Sequence, residues 1–214
     1  TDISNPLCDG EYCYDEALLK PLRAKLKNIT QDNTLIVLHM IGSHGPTYFK
    51  RYPKDKRIFT PDCQRSDIQN CTHEELVNTY DNTIAYTDFV LSKVITEMAT
   101  LAEEQAMETS VLYISDHGES LGEKGVYLHG LPYAFSPEEQ THIPMIYWND
   151  KQQTDFSLSC LAQMSDAPLT LILCSVLCQF SREPISMIKI HLFTVSHYRQ
   201  LPEPPQLTHK IWRF

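Results

Sequence analysis

"VLYISDHGESLGEKGVYLHG", residues 111–130, joins an apolar strand to a loop rich in glycine and acidic residues. The strand ends at Asp116 and His117, and His129 follows near the end of the loop. Carboxylate and imidazole groups are ligands that Zn²⁺ accepts in proteins. The stretch therefore predicts a metal site at the end of a strand, although a histidine in a polar loop is more often only solvated.

A second apolar stretch, "TLIVLHM", is also followed by a polar loop, "IGSHGP". It predicts a fully buried strand, in which His39 is a core histidine or a contact at the strand end. In the loop, Gly42 and Gly45 flank His44 and allow a close approach of backbone or ligand. His44 is therefore a second candidate for the site.

Two helices are predicted from periodic apolar residues. "YDEALLKPLRAKLKN" has leucines at helical spacing. "THEELVNTYDNTIAYTDFVLSKVITEMATLAEE" predicts one long helix that begins with a capping box between Thr72 and Glu75. The leucines of the first helix are Leu18, Leu19, Leu22 and Leu26, and the expected buried face of the second contains Leu76, Tyr80, Ile84, Phe89 and Val94.

The order of these elements favours an α/β fold. A strand, a long helix and a second strand follow one another, and "IPMIYWND" predicts a third strand. In sheets of this class, ligands bind beyond the carboxyl ends of the strands. The loops at residues 42–46 and 116–130 should therefore lie at the same edge, where Glu119 could orient an imidazole.

Composition limits the possible functions. The 214 residues carry a net charge of −9, with 42% hydrophobic and 21% charged residues, which is typical of a globular chain. An acidic chain is not expected to bind nucleic acid. No apolar run is long enough to span a bilayer. Because the chain begins with Thr1, we expect it to start partway through a longer or processed protein.

The seven cysteines include two local pairs, Cys8 with Cys13 and Cys63 with Cys71. Such pairs in polar, turn-rich stretches predict small disulfide loops in an oxidising compartment, the alternative being thiols without a partner. Their spacing does not match a cysteine zinc site. The other three cysteines do not sort into pairs.

Three motifs together carry a family resemblance: "LIVLHMIGSHGPTYFKRYP", "NTYDNTIAYTD" and "YISDHGESLGEKGVYLHGLPYAF". Over about residues 5–170, the chain resembles the periplasmic catalytic domain of lipid A phosphoethanolamine transferases, in the alkaline phosphatase and sulfatase superfamily. The resemblance implies an α/β/α sandwich with a mostly parallel sheet. Residues 1–170 would be the C-terminal part of that domain, which would therefore be incomplete in this chain.

The resemblance also implies roles for individual residues. Asp116 and His117 would bind the catalytic zinc, His44 and His129 would hold a second zinc or the phosphoethanolamine head group, and His39 would line the pocket. Cys8–Cys13 and Cys63–Cys71 match two disulfides of the family. The family's nucleophilic Thr lies upstream of this chain, so no residue here is assigned as the nucleophile.

The reaction that the resemblance implies is zinc-dependent transfer of phosphoethanolamine from phosphatidylethanolamine to lipid A, which gives polymyxin resistance. The parent enzyme would act at the periplasmic face of the bacterial inner membrane, held there by an N-terminal domain that this chain lacks. Two alternatives are a phosphatase-like or sulfatase-like hydrolase of the same superfamily and a non-catalytic zinc-binding fragment. We expect the isolated chain to be inactive.

Residues 171–214 differ from the rest of the chain. They contain no glycine, their charge is basic, and "QLPEPPQL" cannot form a regular element. They also depart from the family's pattern, which continues with His-Asp and an amphipathic helix. We therefore predict an atypical tail and hypothesise a shifted reading frame from about Leu171.

Overall fold

The computed structural model describes residues 5–29, 34–151 and 189–194, with only the backbone described for the last of these. Its helices are α1 (Leu19–Leu26), α2 (His73–Gln105) and α3 (Glu138–Thr141). Its strands are β1 (Thr34–His39), β2 (Ser110–Ile114), β3 (Ser120–Leu121), β4 (Tyr127–Leu128), β5 (Met145–Asn149) and β6 (Lys189–Thr194). Within these ranges, none of the helices combines the length and the apolar character needed to cross a membrane.

The strands of the described ranges form three pairs. β1 pairs with β6 in parallel, whereas β2 with β5 and β3 with β4 are antiparallel. The predicted α/β class and the third strand are confirmed, but β5 runs antiparallel to β2. The only α-helix in the described segment between them is the four-residue α3, which is too short for the crossover helix that a parallel connection uses. β6 belongs to the predicted tail, and the rest of that tail lies outside the described residues.

The predicted buried strands are less covered than expected. Every residue of β2 is half-buried, and Val37 of β1 is exposed. Among the described residues, β1 has only β6 as a hydrogen-bonded neighbour, and β2 has only β5. A strand with one neighbour lies at a sheet edge and keeps part of its surface open, so the expectation of full burial is wrong for these residues.

The core between α1 and α2 follows the predicted leucine spacing. Leu19, Leu22 and Leu26 pack with Val94 and Leu101 of α2. Full burial of such side chains stabilises a fold by about 1.5–3 kcal/mol each. An ion pair of 2.6 Å between Arg23 Nε and Glu97 Oε1 also joins the two helices at their surface.

The long helix α2 begins at the predicted capping box. Thr72 Oγ1 accepts the N–H of Glu75 at 3.2 Å, and Glu75 Oε2 accepts the N–H of Thr72 at 2.8 Å. The helix ends at Ala106, whose φ of 52° and ψ of 36° lie in the left-handed region. Both ends of the 33-residue helix are therefore defined by local backbone geometry.

The buried face of α2 differs from the prediction at Ile84, which is 47% exposed. Thr79, Asn82 and Thr83 are buried instead. Each of these polar side chains bonds to a loop from elsewhere in the chain, respectively at Cys63, at residues 58–59 and at Ser43. A buried polar group is stable when such a bond replaces its contact with water, so α2 fixes loops as well as forming a core.

Both predicted disulfides are formed, Cys8–Cys13 and Cys63–Cys71. The second lies beside a buried cluster that contains Tyr48 and Leu76. A covalent link across a short polar segment limits the unfolded chain and so favours the folded state.

Candidate metal centre

Three histidines from separate loops converge at one place. His44 follows β1, His117 follows β2 and His129 follows β4, and each offers a ring nitrogen within 4.8 Å of the other two. The expected meeting of the polar loops is therefore seen for these side chains, although β1 and β2 belong to different strand pairs among the described residues. His44 and His129 are exposed and His117 is half-buried, so the cluster is open to solvent.

Each imidazole has an oxygen beside its Nδ1 atom. His44 Nδ1 is 2.8 Å from the Gly45 carbonyl, His117 Nδ1 is 2.9 Å from the Gly118 carbonyl, and His129 Nδ1 is 3.0 Å from Glu119 Oε1. In the tautomer with the proton on Nδ1, each ring donates a hydrogen bond to this oxygen. That tautomer keeps a lone pair on Nε2, which is the arrangement that metal-binding histidines use.

The rings form a compact group. The His117 and His129 rings are stacked, with centroids 3.8 Å apart, and the His44 ring meets the His129 ring edge-on at 4.9 Å. Three imidazoles grouped in this way match the donor set of a three-histidine metal site, in which a fourth position stays open for water or substrate. The described residues thus fit a metal ion.

A short hairpin places His129. β3 and β4 pair Ser120 with Leu128, so the next residues outward, Glu119 and His129, also lie side by side. Gly122 makes the turn with a φ of 119°, and its N–H donates to Val126 O at 2.8 Å. The glycine allows this backbone conformation, which is unfavourable for other residues.

Glu119 connects two of the site loops. Its buried carboxylate accepts the N–H of Gly45 at 3.0 Å through the same Oε1 that meets His129. The contact to an imidazole that the sequence analysis expected of Glu119 is present. Burial raises the pKa of Tyr48 above its usual range and that of Tyr80 to about 12, and the nearby Glu119 carboxylate adds to both shifts. Burial disfavours a charged phenolate, and the carboxylate repels a second negative charge.

The loop that carries His44 is held from three sides. The buried Asp15 carboxylate accepts the N–H groups of Ile41 and Gly42 at 2.8 and 2.9 Å. Thr83 of α2 donates to Ser43 Oγ at 2.7 Å, and Arg51 Nε donates to the His44 carbonyl at 2.7 Å. These supporting residues were not predictable from the sequence, because none stands next to a motif-like spacing of ligands.

Two of the supporting glycines follow a site histidine directly. A Cβ atom on Gly45 would lie 2.6 Å from Leu128 Cδ2, and one on Gly118 would lie 2.0 Å from the Glu139 carbonyl oxygen. Both distances are shorter than atoms tolerate, so a side chain at either position would displace the loop. The close approach expected around His44 is therefore real at Gly45.

Two predicted site residues lie apart from the three-histidine cluster. The Asp116 side chain is 86% exposed, and its Oδ1 is 3.9 Å from His117 Nε2. His39 is exposed at the last position of β1, so the expectation of a core histidine is wrong and the strand-end position is correct. Neither residue is among the three whose ligand atoms meet.

Comparison with known proteins identifies the family. Residues 1–172 match the sulfatase family, and the chain belongs to it. A relative, the phosphoethanolamine transferase EptA of Salmonella typhimurium (strain LT2), is 49% identical over 156 residues, which are 72% of this chain and 28% of the relative. The chain thus spans little more than a quarter of that protein.

Two solved structures are also similar. The C-terminal periplasmic domain of phosphoethanolamine transferase EptC from Campylobacter jejuni has a TM-score of 0.62 and 50% identity, covering 68% of this chain and 45% of that one. The integral membrane protein lipooligosaccharide phosphoethanolamine transferase A from Neisseria meningitidis has a TM-score of 0.65 and 43% identity, covering 77% and 31%. The expected resemblance and fold family are confirmed.

Proposed function

We propose that this chain is part of the catalytic domain of a zinc-dependent phosphoethanolamine transferase, which modifies lipid A with phosphatidylethanolamine as donor. One observation carries the proposal: His44, His117 and His129 each offer a ring nitrogen within 4.8 Å of the other two. The similarity to named phosphoethanolamine transferases supports the choice of substrate.

The ligand roles are part of this proposal. Asp116 and His117 hold the catalytic zinc, and His44 and His129 complete the centre through a second zinc or the head group, with His39 at the pocket margin. Zinc supplies a charge that stabilises phosphoryl oxygens and lowers the pKa of a bound nucleophile. Glu119 holds the His129 ring beside the Gly45 backbone, because its Oε1 contacts both.

The proposed setting is the periplasmic face of the inner membrane. Support comes from the similar structures, one titled a periplasmic domain and the other an integral membrane protein, and from the two disulfides, which persist in an oxidising compartment. We further propose that the parent enzyme confers polymyxin resistance.

Zinc titration of the purified chain tests the site. We expect His117→Ala to weaken zinc binding by at least about a hundredfold, since one of three converging ligands is lost. His142→Ala is the matched control, because His142 is an exposed histidine outside the cluster. Equal zinc affinity in the chain and in its His117→Ala variant would contradict the proposed centre.

Transfer itself is tested in the full-length protein. Expression in a polymyxin-sensitive strain should add phosphoethanolamine to lipid A, seen by mass spectrometry, and His117→Ala should abolish this addition while His142→Ala retains it. Hydrolysis of a soluble phosphate or sulfate ester without any change in lipid A would instead establish the hydrolase. Zinc binding without either activity would leave a non-catalytic zinc-binding protein.

A further inference from the structure

A basic and apolar loop stands out on this acidic chain. Residues 54–59 read KDKRIF, whereas the whole chain carries a net charge of −9. Ile58 is 66% exposed and Phe59 is 40% exposed. The two adjacent large apolar side chains are therefore presented to solvent directly after three cationic residues.

A buried residue of α2 fixes the loop in this position. Asn82 is fully buried, and its Oδ1 accepts the N–H groups of Ile58 and Phe59 at 2.7 and 2.8 Å. Its Nδ2 donates to the Phe59 carbonyl at 2.9 Å. Three bonds from one buried amide hold the loop backbone in the conformation that presents the two side chains to solvent.

Helix α2 adds a further cation, Lys93, beside the loop. Lys56 Nζ lies 4.0 Å from the centroid of the Phe89 ring, and Lys93 Nζ lies 5.3 Å from the same ring. Arg57 forms an ion pair with the buried Asp62, and its own side chain stays 39% exposed. Asp55 in the loop and Asp88 beside Phe89 on α2 are exposed, so the three lysines outnumber the two exposed carboxylates at this surface.

This combination fits a lipid surface better than a protein partner. Lysine is depleted at the cores of protein interfaces, whereas lysine around protruding apolar side chains is the pattern of segments that lie in a membrane interface. There the apolar tips enter the boundary of the acyl chains, and the ammonium groups meet anionic lipid phosphates. Charge complementarity thus favours an anionic bilayer.

We propose that residues 54–59, together with Lys93, form a docking surface for an anionic phospholipid bilayer. This inference deepens the proposed function, because an enzyme whose donor is a bilayer lipid must reach the membrane surface. Asn82 and Thr83 are neighbours on α2 and hold the docking loop and the His44 loop respectively. Docking would therefore set the height of the metal centre above the bilayer.

Co-sedimentation of the full chain with vesicles tests the proposal. Binding is expected to vesicles of phosphatidylcholine mixed with phosphatidylglycerol, to be much weaker with phosphatidylcholine alone, and to fall as salt is added. Both Ile58→Ser/Phe59→Ser and Lys54→Gln/Lys56→Gln/Lys93→Gln should reduce partitioning about tenfold or more. Circular dichroism checks that each variant remains folded.

Two control variants match these changes elsewhere on the surface. Tyr133→Ser/Phe135→Ser removes two exposed apolar rings, and Lys20→Gln/Lys25→Gln/Lys27→Gln removes three charges from the region of α1. Each should keep partitioning within about twofold of the parent chain. Equal losses in the control and test variants would overturn the proposal, and so would a failure of the parent chain to bind anionic vesicles.

Zinc titration of the same samples separates this proposal from the proposed function. Ile58→Ser/Phe59→Ser should bind zinc as the parent chain does. If the parent chain binds zinc through His117 but does not bind anionic vesicles, the docking surface is refuted and the proposed function is not. Vesicle binding through Ile58 and Phe59 in a chain without a zinc site refutes the transferase centre and leaves a membrane-binding domain.

Discussion

At the scale of single residues, the candidate metal centre depends on groups outside its three imidazoles. Glu119 is the clearest case, because one oxygen serves both the Gly45 N–H and His129 Nδ1. Loss of such a partner leaves the ligand ring free to turn and its basicity lower. The metal affinity of the candidate site should therefore depend on the Glu119 carboxylate as well as on the three histidines.

Substitution of Glu119 should give a graded loss of zinc affinity. Glu119→Gln keeps an acceptor oxygen without the charge and is expected to weaken binding about tenfold, whereas Glu119→Ala should weaken it about a hundredfold. Isothermal titration of the purified chain measures both values, with the exposed Glu138→Gln as a control. Unchanged affinity in Glu119→Ala would show that Glu119 has no such role.

Asp15 makes a prediction about pH. Burial raises the pKa of its carboxyl above the usual 3.8, outweighing the two backbone N–H bonds that lower it. A raised pKa in the folded state means that Asp15 contributes most to stability below pH 3.8, and that this contribution is lost as pH rises through the folded-state pKa. The free energy of unfolding of the chain relative to Asp15→Asn should therefore decrease over that window.

Asp67 supplies a comparison of opposite sign. Bonds from Asn70 and Arg65 lower the pKa of Asp67, so its contribution is present above pH 3.8 and is lost as pH falls through the lowered value. Urea denaturation at several pH values should show opposite slopes for Asp15→Asn and Asp67→Asn. Parallel slopes would mean that the buried position of Asp15 is not what governs its ionisation.

At the scale of elements, α2 shows both the strength and the limit of sequence patterns. The capping box at Thr72 and Glu75 was predictable, because it depends on residues three apart. The burial of Asn82 and Thr83 was not, because apolar periodicity ignores polar residues, and their partners at residues 58–59 and at Ser43 are remote in sequence. Ile84 was assigned to the core for the same reason.

The end of α2 offers a test by paired substitutions. Ala106 has a φ of 52°, which is unfavourable for a residue with a Cβ atom. Ala106→Gly is expected to raise the free energy of unfolding by about 1 kcal/mol. Ala102→Gly, inside the helix, should lower it by about 1 kcal/mol. Thermal or urea denaturation distinguishes the two, and destabilisation by both would refute the left-handed end of the helix.

At the scale of the whole molecule, most residues of the candidate metal centre could be predicted from their positions after the strands. His44, His117 and His129 were predicted to lie close together, and their ring nitrogens converge. Asp116 stays a proposed ligand: its Oδ1 lies 3.9 Å from His117 Nε2 but not within the group of three ring nitrogens, because neighbouring residues at a strand end need not face the same way. Asp15 and Arg51 were missed because their contacts are formed only by the folded chain.

The fixed Nδ1 contacts have a consequence for metal supply. Three imidazoles with their Nε2 lone pairs already exposed need little rearrangement to load an ion, and they suit copper and nickel as well as zinc. Copper(II) binds such nitrogen donors more tightly than zinc does, following the general order of divalent affinities. Which ion fills the candidate centre would then depend on the metals that reach it, and an excess of copper would favour mismetallation.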